Sequence, residues 1–461
     1  MQRFDIVVIG AGGAGEAAAH LATGRGASVA VVDRELFGGS CPFWACMPSK
    51  ALLHAASVHQ AGGDYPWSKA SDFRDYMINR EGTDWSDDGG HLSSLEKAGA
   101  TVIRGAARFA GPGRVTVTGD DGAGTELEAG AVIVAVGSHS RIPDIPGLSD
   151  IEPWTNRQGT TTRELPKSLV ILGAGPTGVE LSQVFARYGV EVTLVHAGER
   201  INDRDHPRSS ELLAEVLEAD GVRIRLNVQA ERIDARAGSG GAHVVHLNDG
   251  TTVGGHEILL AIGRDYPLAE LNLGAIGVEP VKGRLDVDDR LRIADNVYVA
   301  GDVAGPEMHT HLAHYQGEMA TRLALGDDVR RDHSAIPRAI YTDPETASVG
   351  LQVEEARKRG IDAAEFSVDL GTSAKGYVAE AQGHATIVVD RRAGTLVGAF
   401  LAGPAVSETI HEAVLAVKLG TPLAVLADTI HAFPTVARVL GTAFVNAHRE
   451  LEARVRVGEA G

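Results

Sequence analysis

One stretch of the chain occurs twice, and this repeat constrains the fold more than any other feature. Residues 5–33 read DIVVIGAGGAGEAAAHLATGRGASVAVVD, and residues 168–196 read SLVILGAGPTGVELSQVFARYGVEVTLVH, which align without a gap. Each copy has an apolar run typical of a strand buried on both faces, a glycine-rich turn, an amphipathic helix pattern and a second apolar run. This order is typical of a dinucleotide-binding unit. The sequence therefore predicts two Rossmann-like units.

The turn of each copy has the pattern G-x-G-x-x-G, which permits a tight turn and lets a pyrophosphate reach the N-terminus of the helix. The first copy ends at Asp33, whose carboxylate is placed to accept hydrogen bonds from ribose hydroxyls. The second copy ends at His196, with Arg200 and Arg204 following, and no carboxylate there repels a 2′-phosphate. We therefore expect NADPH at the second unit, with NADH as the alternative. The fingerprint glycines are Gly10, Gly12 and Gly15, and Gly173, Gly175 and Gly178.

Charge and hydropathy exclude several classes of function. The chain has 43 Lys and Arg against 61 Asp and Glu, a net charge of −18, and it has no basic run. We therefore expect neither nucleic acid nor an anionic membrane surface as a partner. No apolar stretch reaches the roughly 18 residues that a membrane span requires. The chain begins directly with a strand pattern and has no signal-peptide layout, so the prediction is a cytoplasmic protein.

The length of 461 residues suggests about three domains. Apolar strand patterns with polar ends recur at 132–137, 258–263 and 297–301, and beyond Ala335 short alternating strands mix with helices. The predicted fold is α/β, with two Rossmann-like dinucleotide-binding domains and a C-terminal α+β domain. The predicted boundaries are 1–154 for the first domain, 155–280 for the inserted second domain, 281–334 for the return segment of the first, and 335–461 for the C-terminal domain.

The two cysteines, Cys41 and Cys46, lie five positions apart and have no other cysteine to pair with. A close pair inside the cell indicates redox chemistry or a metal site. A thiolate zinc site would need nearby histidines, and none lies close in sequence. Redox chemistry is therefore the prediction, with no metal.

Residues 38–50 read GGSCPFWACMPSK, and further motifs stand at 261–264 (AIGR), 300–302 (AGD) and 341–345 (YTDPE). With both glycine fingerprints, this set resembles the pyridine nucleotide–disulfide oxidoreductases, which include dihydrolipoamide dehydrogenase, glutathione reductase and mercuric reductase. The resemblance covers essentially the whole chain. It implies FAD in the first domain, NAD(P)H in the second, and a homodimer built largely by the C-terminal domain. It also implies a small substrate, a thiol, disulfide or thioether.

The resemblance implies a role for individual residues as well. Cys46 would be the flavin-facing thiolate, and Cys41 the outer thiol that attacks the substrate. Lys50 and Glu180 resemble the ion pair that the family places near the flavin, and Asp302 resembles the ligand of the FAD ribitol. Further cofactor contacts are expected at Ala107, Gly137 and Gly263.

The C-terminal segment departs from the family. The family has a His-Pro-Thr segment with a Glu five residues after the His, and this proton-transfer pair reaches the dithiol of the partner subunit. Here Phe433 stands at the His position and Arg438 at the Glu position. Phenylalanine holds no exchangeable proton, and arginine offers donors but no acceptor. His431, two residues earlier, is the alternative proton donor. We expect slow reduction of ordinary disulfides, because acid–base help is typically worth about 10²- to 10⁴-fold.

Phenylalanine at this position resembles 2-ketopropyl coenzyme M oxidoreductase/carboxylase, which shares the Cys-Pro-x-x-Ala-Cys arrangement and excludes protons from its carbanion. Thioether cleavage of this kind is therefore one alternative, although the chain departs from that enzyme at Arg438, where the enzyme has a His. Reduction of quinones or other electron acceptors is another, and a flavin-binding sensor is a third. The mercuric reductase interpretation is weakened, because its C-terminal cysteine pair is missing. Arg438 would suit an anionic thiol substrate.

Two further groups of residues have open interpretations. Phe43 and Trp44 are expected either to make the dithiol mouth apolar or simply to pack. The polar stretch 62–96, with Tyr76, Arg80 and Trp85, is expected to line the substrate cleft or form a mobile flank. The pattern His309-x-His311-x-x-His314 is not expected to bind metal, because in the family a helix packs against the flavin there.

Overall fold

The structure, a computed structural model, describes residues 1–80 and 86–458, so Trp85 lies outside the described residues. The first unit opens with a strand whose residues from Ile6 to Ile9 are all buried, as the apolar run predicts. It ends at a short helix that follows the β7 strand. Its elements are β1 (Gln2–Ile9), α1 (Gly13–Gly24), β2 (Val29–Asp33), α2 (Ser40–Trp44), α3 (Cys46–Gln60), α4 (Trp67–Met77), α5 (Gly89–Lys97), β3 (Thr101–Arg104), β4 (Ala106–Gly111), β5 (Arg114–Thr118), β6 (Gly124–Val134), β7 (His139–Ser140) and α6 (Asn156–Thr161).

The second unit repeats this beginning. Its first strand is buried at every residue, and a glycine turn joins it to a helix that starts with a proline. A small antiparallel sheet is inserted before the last long strand. The elements are β8 (Ser168–Leu172), α7 (Pro176–Arg187), β9 (Glu191–Val195), α8 (Pro207–Ala219), β10 (Arg223–Arg225), β11 (Ala230–Asp234), β12 (His243–Leu247), β13 (Thr252–Gly255), β14 (Glu257–Leu260) and β15 (Arg264–Asp265).

The chain then returns to the first sheet with β16 (Arg292–Ala294), β17 (Val297–Val299) and α9 (Thr310–Ala324). The long path of this sheet runs β16-β17-β6-β1-β2-β3, with parallel pairing from β17 to β3, and β4 and β5 extend β6 as an antiparallel meander. The second sheet is parallel with the order β10-β9-β8-β14. Both sheets have the parallel arrangement that the sequence repeat predicts.

The C-terminal unit is an antiparallel sheet of order β18-β19-β22-β21-β20 covered by helices. Its core joins the sheet to the last helix through residues such as Leu401 and Phe444, both fully buried. The prediction of two Rossmann-like domains and an α+β domain is thus confirmed. Its elements are β18 (Arg338–Ile340), β19 (Glu345–Gly350), α10 (Val353–Lys358), β20 (Ala363–Asp369), α11 (Ala374–Ala379), β21 (His384–Asp390), β22 (Thr395–Gly403), α12 (Val406–Leu419), α13 (Leu423–Asp428) and α14 (Val436–Gly458).

Helices α1 and α9 cross in close contact on one face of the first sheet. A Cβ at Gly317 would collide with the carbonyl oxygen of Ala14, so only glycine permits this approach. The Thr321 hydroxyl also donates to the Ala18 carbonyl at 3.1 Å. This packing places the N-termini of both helices at the same edge of the sheet, beyond the carboxyl ends of its strands.

Candidate active site

The first glycine fingerprint forms a tight turn with open space before α1. Gly10 has a φ of +102°, and a Cβ there would collide with the Ala135 carbonyl oxygen. A Cβ at Gly15 would collide with the carbonyl of Gly10, so this glycine allows the helix to pack on the strand. A Cβ at Gly12 would meet only the Cα of Gly39, at 3.8 Å. The bare backbone before α1 therefore fits the pyrophosphate of a dinucleotide.

The second fingerprint has the same geometry. Gly173 has a φ of +103° and faces the Ala261 carbonyl, and Gly178 lies against the carbonyl of Gly173. A Cβ at Gly175 would have no atom within 4 Å. The three glycines thus provide the same tight turn, open backbone and close helix packing as their counterparts in the first unit. The second unit therefore also fits a dinucleotide.

A cavity of about 340 Å³ lies beside the first fingerprint, and Gly10, Asp33 and Ala107 are among its lining residues. Asp33 Oδ2 accepts a hydrogen bond from the Ala11 N–H at 2.7 Å, and Oδ1 accepts one from the Glu35 N–H at 2.8 Å. Burial raises the pKa of Asp33. Each carboxylate oxygen keeps a further lone pair for a ribose hydroxyl. The cavity and its carboxylate suit the adenosine half of FAD.

His196 occupies in the second unit the place that Asp33 occupies in the first. Its Nδ1 accepts a hydrogen bond from the Ala174 N–H at 3.3 Å, and its buried Nε2 has no hydrogen-bond partner among the described residues. One expectation needs correction here. The carboxylate of Asp203 lies 3.8 Å from Nε2, so a carboxylate does stand near this place. Arg200 Nη2 donates to the carbonyls of Asp203 and Asp205, at 2.8 and 3.4 Å, and the buried Nε has no hydrogen-bond partner among the described residues.

The two thiols lie together where α2 gives way to α3, and Cys46 is the first residue of α3. A hydrogen bond between them, together with burial, raises the pKa of Cys41. The same hydrogen bond lowers the pKa of Cys46 to about 6, with help from the Thr310 hydroxyl and the charge of Lys50. Thr310 Oγ1 lies 3.3 Å from Cys46 Sγ. These contacts favour the negative charge on Cys46 over Cys41.

Lys50 follows Cys46 by one helical turn and forms an ion pair with Glu180 of α7. Lys50 Nζ donates to Oε1 and Oε2 of Glu180 at 3.0 and 2.9 Å. Burial opposes the charge of Lys50, but the buried Glu180 carboxylate outweighs it and holds the pKa of Lys50 above its ordinary value. The N–H of Tyr341 also donates to Oε1, at 3.1 Å, and its ring lies 4.7 Å from Nζ. Three units of the fold thus meet at this pair.

Asp302 lies beyond the end of β17, at the carboxyl edge of the first sheet, where ligands bind in folds of this kind. The Ser138 hydroxyl donates to its carboxylate, and Arg264 Nε is 3.9 Å away. Arg264 also donates to the Ser138 carbonyl at 2.6 Å. Gly137, with a φ of +61°, and Gly263, with a φ of +117°, flank these residues in the loops after β6 and β14.

Within the described part of the chain, the C-terminal segment around His431, Phe433 and Arg438 has no polar contact with the thiol pair. Phe433 is 74% exposed, whereas the neighbouring His431 points inward and pairs with Glu412. Arg438 is exposed, and no described carboxylate lies within ion-pair distance of it. No hydrogen bond or ion pair between described residues joins these three side chains to Cys41 or Cys46 of the same chain.

The expectation of an apolar dithiol mouth is wrong for the side chains between the cysteines. Phe43 and Trp44 are only 2% and 8% exposed and pack with Ile78. The guanidinium of Arg157 covers the Trp44 ring at 3.9 Å, and Asn156 Nδ2 donates to the Trp44 carbonyl at 2.7 Å. The packing alternative therefore holds. In the stretch 62–96, Tyr76 lies on the surface, 79% exposed.

The three histidines at the start of α9 have separate partners. His309 bonds Glu307 at 2.9 Å, His311 bonds the Pro337 carbonyl at 2.9 Å, and His314 lies against Gly13. Among the described residues no group of three or more His, Cys, Asp or Glu side chains is placed to hold a metal ion. Sequence reasoning missed Thr310, which stands between two of these histidines, because nothing in the local pattern links it to a cysteine 264 positions away.

Two dinucleotide cradles, a thiol pair and a lysine–glutamate pair together define an oxidoreductase of the two-nucleotide dithiol class. Comparisons with known proteins agree. The family model described as pyridine nucleotide-disulphide oxidoreductase matches residues 4–317, and that of its dimerisation domain matches residues 336–444. The chain belongs to this family, and it is a flavin-dependent pyridine nucleotide-disulfide oxidoreductase. The family uses FAD and a pyridine nucleotide, and the dimerisation domain supports a homodimer.

Similar proteins include dihydrolipoyl dehydrogenase of Halobacterium salinarum, 34% identical over 448 residues and covering 94% of each chain. Mercuric reductase of Staphylococcus aureus is 28% identical, over 95% of this chain and 81% of the relative. Among solved structures, a Cu(II) complex of the flavoprotein disulfide reductase RclA from Escherichia coli has a TM-score of 0.86 at 25% identity, covering 96% and 99% of the two chains. No helix among the described residues is long and apolar enough to cross a membrane.

Proposed function

We propose that this protein passes electrons from NADPH through bound FAD to Cys41 and Cys46, and from there to a small thiol, disulfide or thioether. The proposal adds that it does so without a proton-transfer pair from the C-terminal segment. One observation carries it: Cys46, Lys50 and Glu180 are assembled with Thr310 as a dithiol site. Phe433, which the sequence resemblance aligns with the family's histidine, is exposed. FAD, when bound, accepts a hydride from the nicotinamide and transfers two electrons to a disulfide.

The residues of this chain have distinct tasks in that reaction. The two fingerprints and Asp33 would hold the nucleotides, and Asp302 would accept a hydrogen bond from the ribityl chain of FAD. Lys50 keeps a positive charge close to Cys46, which supports the thiolate after reduction. Cys41, whose pKa is raised, is the thiol that meets the substrate. Neither Phe433 nor Arg438 supplies a base for Cys41 or an acid for a leaving thiol, so exchange with ordinary disulfides is slow.

NADPH is proposed over NADH on the chemistry of His196. With Nδ1 accepting the Ala174 N–H, the ring proton sits on Nε2, a buried donor that has no hydrogen-bond partner among the described residues. A donor suits a 2′-phosphate, whereas a carboxylate at this place suits the 2′-hydroxyl of NADH. Arg204, exposed beside this place, adds positive charge, and Asp203 opposes it.

A second candidate substrate is a thiophilic metal ion. Two relatives favour it by name, mercuric reductase and the RclA protein solved as a Cu(II) complex. Thiolates are preferred ligands of soft metal ions, and delivering electrons to a metal requires no acid for a leaving thiol. The chain has two cysteines in all, so this substrate would reach Cys41 and Cys46 directly.

The test begins with anaerobic titration of the FAD-containing enzyme by dithionite and NADPH. We expect uptake of about four electrons per subunit, two on FAD and two on the thiol pair. Cys46→Ser should take up two electrons and lose the long-wavelength charge-transfer absorbance, whereas Cys41→Ser should keep that absorbance. A wild type that takes up only two electrons would refute the dithiol assignment. NADPH oxidation with disulfides, ketone-bearing thioethers, quinones and Cu(II) then ranks the substrate classes.

A further inference from the structure

Thr310 approaches the reacting sulfur from a different part of the fold. It is the first residue of α9, and Cys46 is the first residue of α3, so two helix N-termini converge on one sulfur. The distance from Thr310 Oγ1 to Cys46 Sγ is 3.3 Å. Among the described residues the only other hydrogen-bond partner of this hydroxyl is the neighbouring thiol of Cys41. Its proton is therefore free to point at sulfur.

The protonation of the reduced cysteine pair determines which sulfur accepts the hydrogen bond from the Thr310 hydroxyl. The hydrogen bond between the two sulfurs raises the pKa of Cys41 and lowers the pKa of Cys46, which favours the form with the proton on Cys41 and the negative charge on Cys46. A thiolate accepts hydrogen bonds better than a thiol does. The hydroxyl favours the charged form of both sulfurs, but it has one proton to donate, and its hydrogen-bonding geometry is met at Cys46.

We propose that Thr310 is a catalytic residue that determines how the reduced cysteine pair shares its proton, because its hydroxyl donates to the Cys46 thiolate and so keeps the proton on Cys41. This inference rests on the proposed roles of the two cysteines. The equilibrium concerned moves one proton and no electrons: Cys41-SH with Cys46-S⁻ becomes Cys41-S⁻ with Cys46-SH. Thr310 favours the first form, which suits electron transfer from the flavin side.

Two steps of the reaction therefore require opposite protonation states of the cysteine pair. Contact with FAD requires the thiolate on Cys46, and attack on the substrate requires it on Cys41. A Cys46 thiolate favours contact with FAD, but it leaves the outer thiol protonated and weakly nucleophilic. In relatives an imidazole removes that proton, and here Phe433 stands at its position. Cys41 must therefore pass its proton to Cys46 before it attacks a substrate, and the Thr310 hydroxyl opposes this transfer. Removing the hydroxyl should weaken the thiolate on Cys46 and favour the one on Cys41.

The test compares Thr310→Val, Thr310→Ala and Thr310→Ser in the FAD-containing enzyme after two-electron reduction. The charge-transfer absorbance is titrated with pH, and alkylation of each cysteine by iodoacetamide is mapped by mass spectrometry. In the valine and alanine variants we expect the pH midpoint to rise by about one unit, since a hydrogen bond to a charged group is worth about tenfold. The share of label on Cys41 relative to Cys46 should rise in the same variants.

Thr310→Ser, which keeps the hydroxyl, should match the wild type in both measurements. Thr409→Val is the matched control, because that hydroxyl donates to the backbone carbonyl of Ala405, one turn earlier in the chain. A midpoint and a labelling ratio that stay unchanged in both Thr310→Val and Thr310→Ala would overturn the inference. If the wild type itself shows no charge-transfer absorbance, the proposed function fails, which is a different result.

Discussion

His431 Nε2 lies 3.0 and 3.1 Å from the two carboxylate oxygens of Glu412, with the His431 side chain only 5% exposed. A carboxylate accepts but does not donate, so the ring proton sits on Nε2. A Cβ on Gly441 would approach His431 Nδ1 at 2.5 Å, so α14 is close-packed on the ring. The pair joins the segment before α14 to α12, while Phe433, two residues on, is exposed.

His431 is therefore predicted to support structure rather than transfer protons. His431→Ala should lower the free energy of unfolding by about 2 kcal/mol, because a buried hydrogen bond to a charged group is lost. The shape of the pH profile of NADPH-dependent turnover should stay the same. Chemical denaturation and steady-state kinetics between pH 5 and pH 9, roughly the range in which imidazole titrates, provide the measurements. If a limb of that profile disappears in His431→Ala while His431→Gln remains folded, His431 is the acid after all.

Phe433 and Arg438 give the sharpest prediction about substrate. Phe433→His together with Arg438→Glu should raise the reduction of glutathione disulfide or lipoamide at least about tenfold, a small part of what acid–base catalysis supplies. Turnover of the native substrate should fall if that reaction requires protons to be kept out. Steady-state rates with a fixed NADPH concentration provide the measurement.

The matched control for that double variant is Phe433→Leu with Arg438→Glu, which changes the charge without adding an imidazole. It should leave disulfide reduction at the wild-type rate. An equal gain in both double variants would show that removing Arg438, and not adding a proton donor, produced the effect.

His196→Glu is predicted to shift nucleotide preference toward NADH. A carboxylate at this position repels a 2′-phosphate and accepts a hydrogen bond from a 2′-hydroxyl. The ratio of kcat/KM for NADPH to that for NADH should fall by at least about tenfold, corresponding to about 1.4 kcal/mol. His196→Gln, which adds no charge, should change the ratio less. A wild type that already prefers NADH would contradict the argument from His196.

Acid stability is predicted to depend on His384, the first residue of β21, which is buried against α8. Its Nε2 lies 3.1 Å from Ser209 Oγ and its Nδ1 2.8 Å from Thr386 Oγ1. Burial, with the charges of Arg208 and His206, lowers the pKa of His384 to about 3. The unfolded chain takes up this proton below about pH 6.5, and the folded chain does not. Stability should therefore be full above about pH 6.5 and decrease as the pH falls toward 3.

The measurement is the urea midpoint of the FAD-containing enzyme at pH 7 and at pH 5. His384→Gln should reduce the difference between the two midpoints. His20→Gln, on an exposed position of α1, is the control and should leave the difference unchanged. An equal difference in wild type and His384→Gln would assign the acid sensitivity to other groups.

Much of the fold was predictable because its determinants are local. The apolar runs of 6–9 and 169–172 indicate buried strands, and the glycines at 10 and 173 indicate turns with positive φ. In each copy these signals lie within about thirty consecutive residues. These patterns depend on backbone geometry and burial, which neighbouring residues decide. The two Rossmann-like units and the C-terminal α+β domain were predicted in this way and are confirmed. The enzyme family was predicted from the resemblance of its motifs and is confirmed as well.

Other features depended on contacts between distant parts of the chain. Lys50 and Glu180 are 130 positions apart, and their pairing could be anticipated only through family resemblance. The burial of Trp44 under Arg157, the orientation of Arg200 toward backbone carbonyls and the contact of Thr310 with Cys46 had no signal in the sequence pattern. Local patterns state which residues prefer burial or a turn. The direction of a side chain and the charge on a sulfur are set by the groups that packing brings within a few ångströms, and only the tertiary structure supplies those groups.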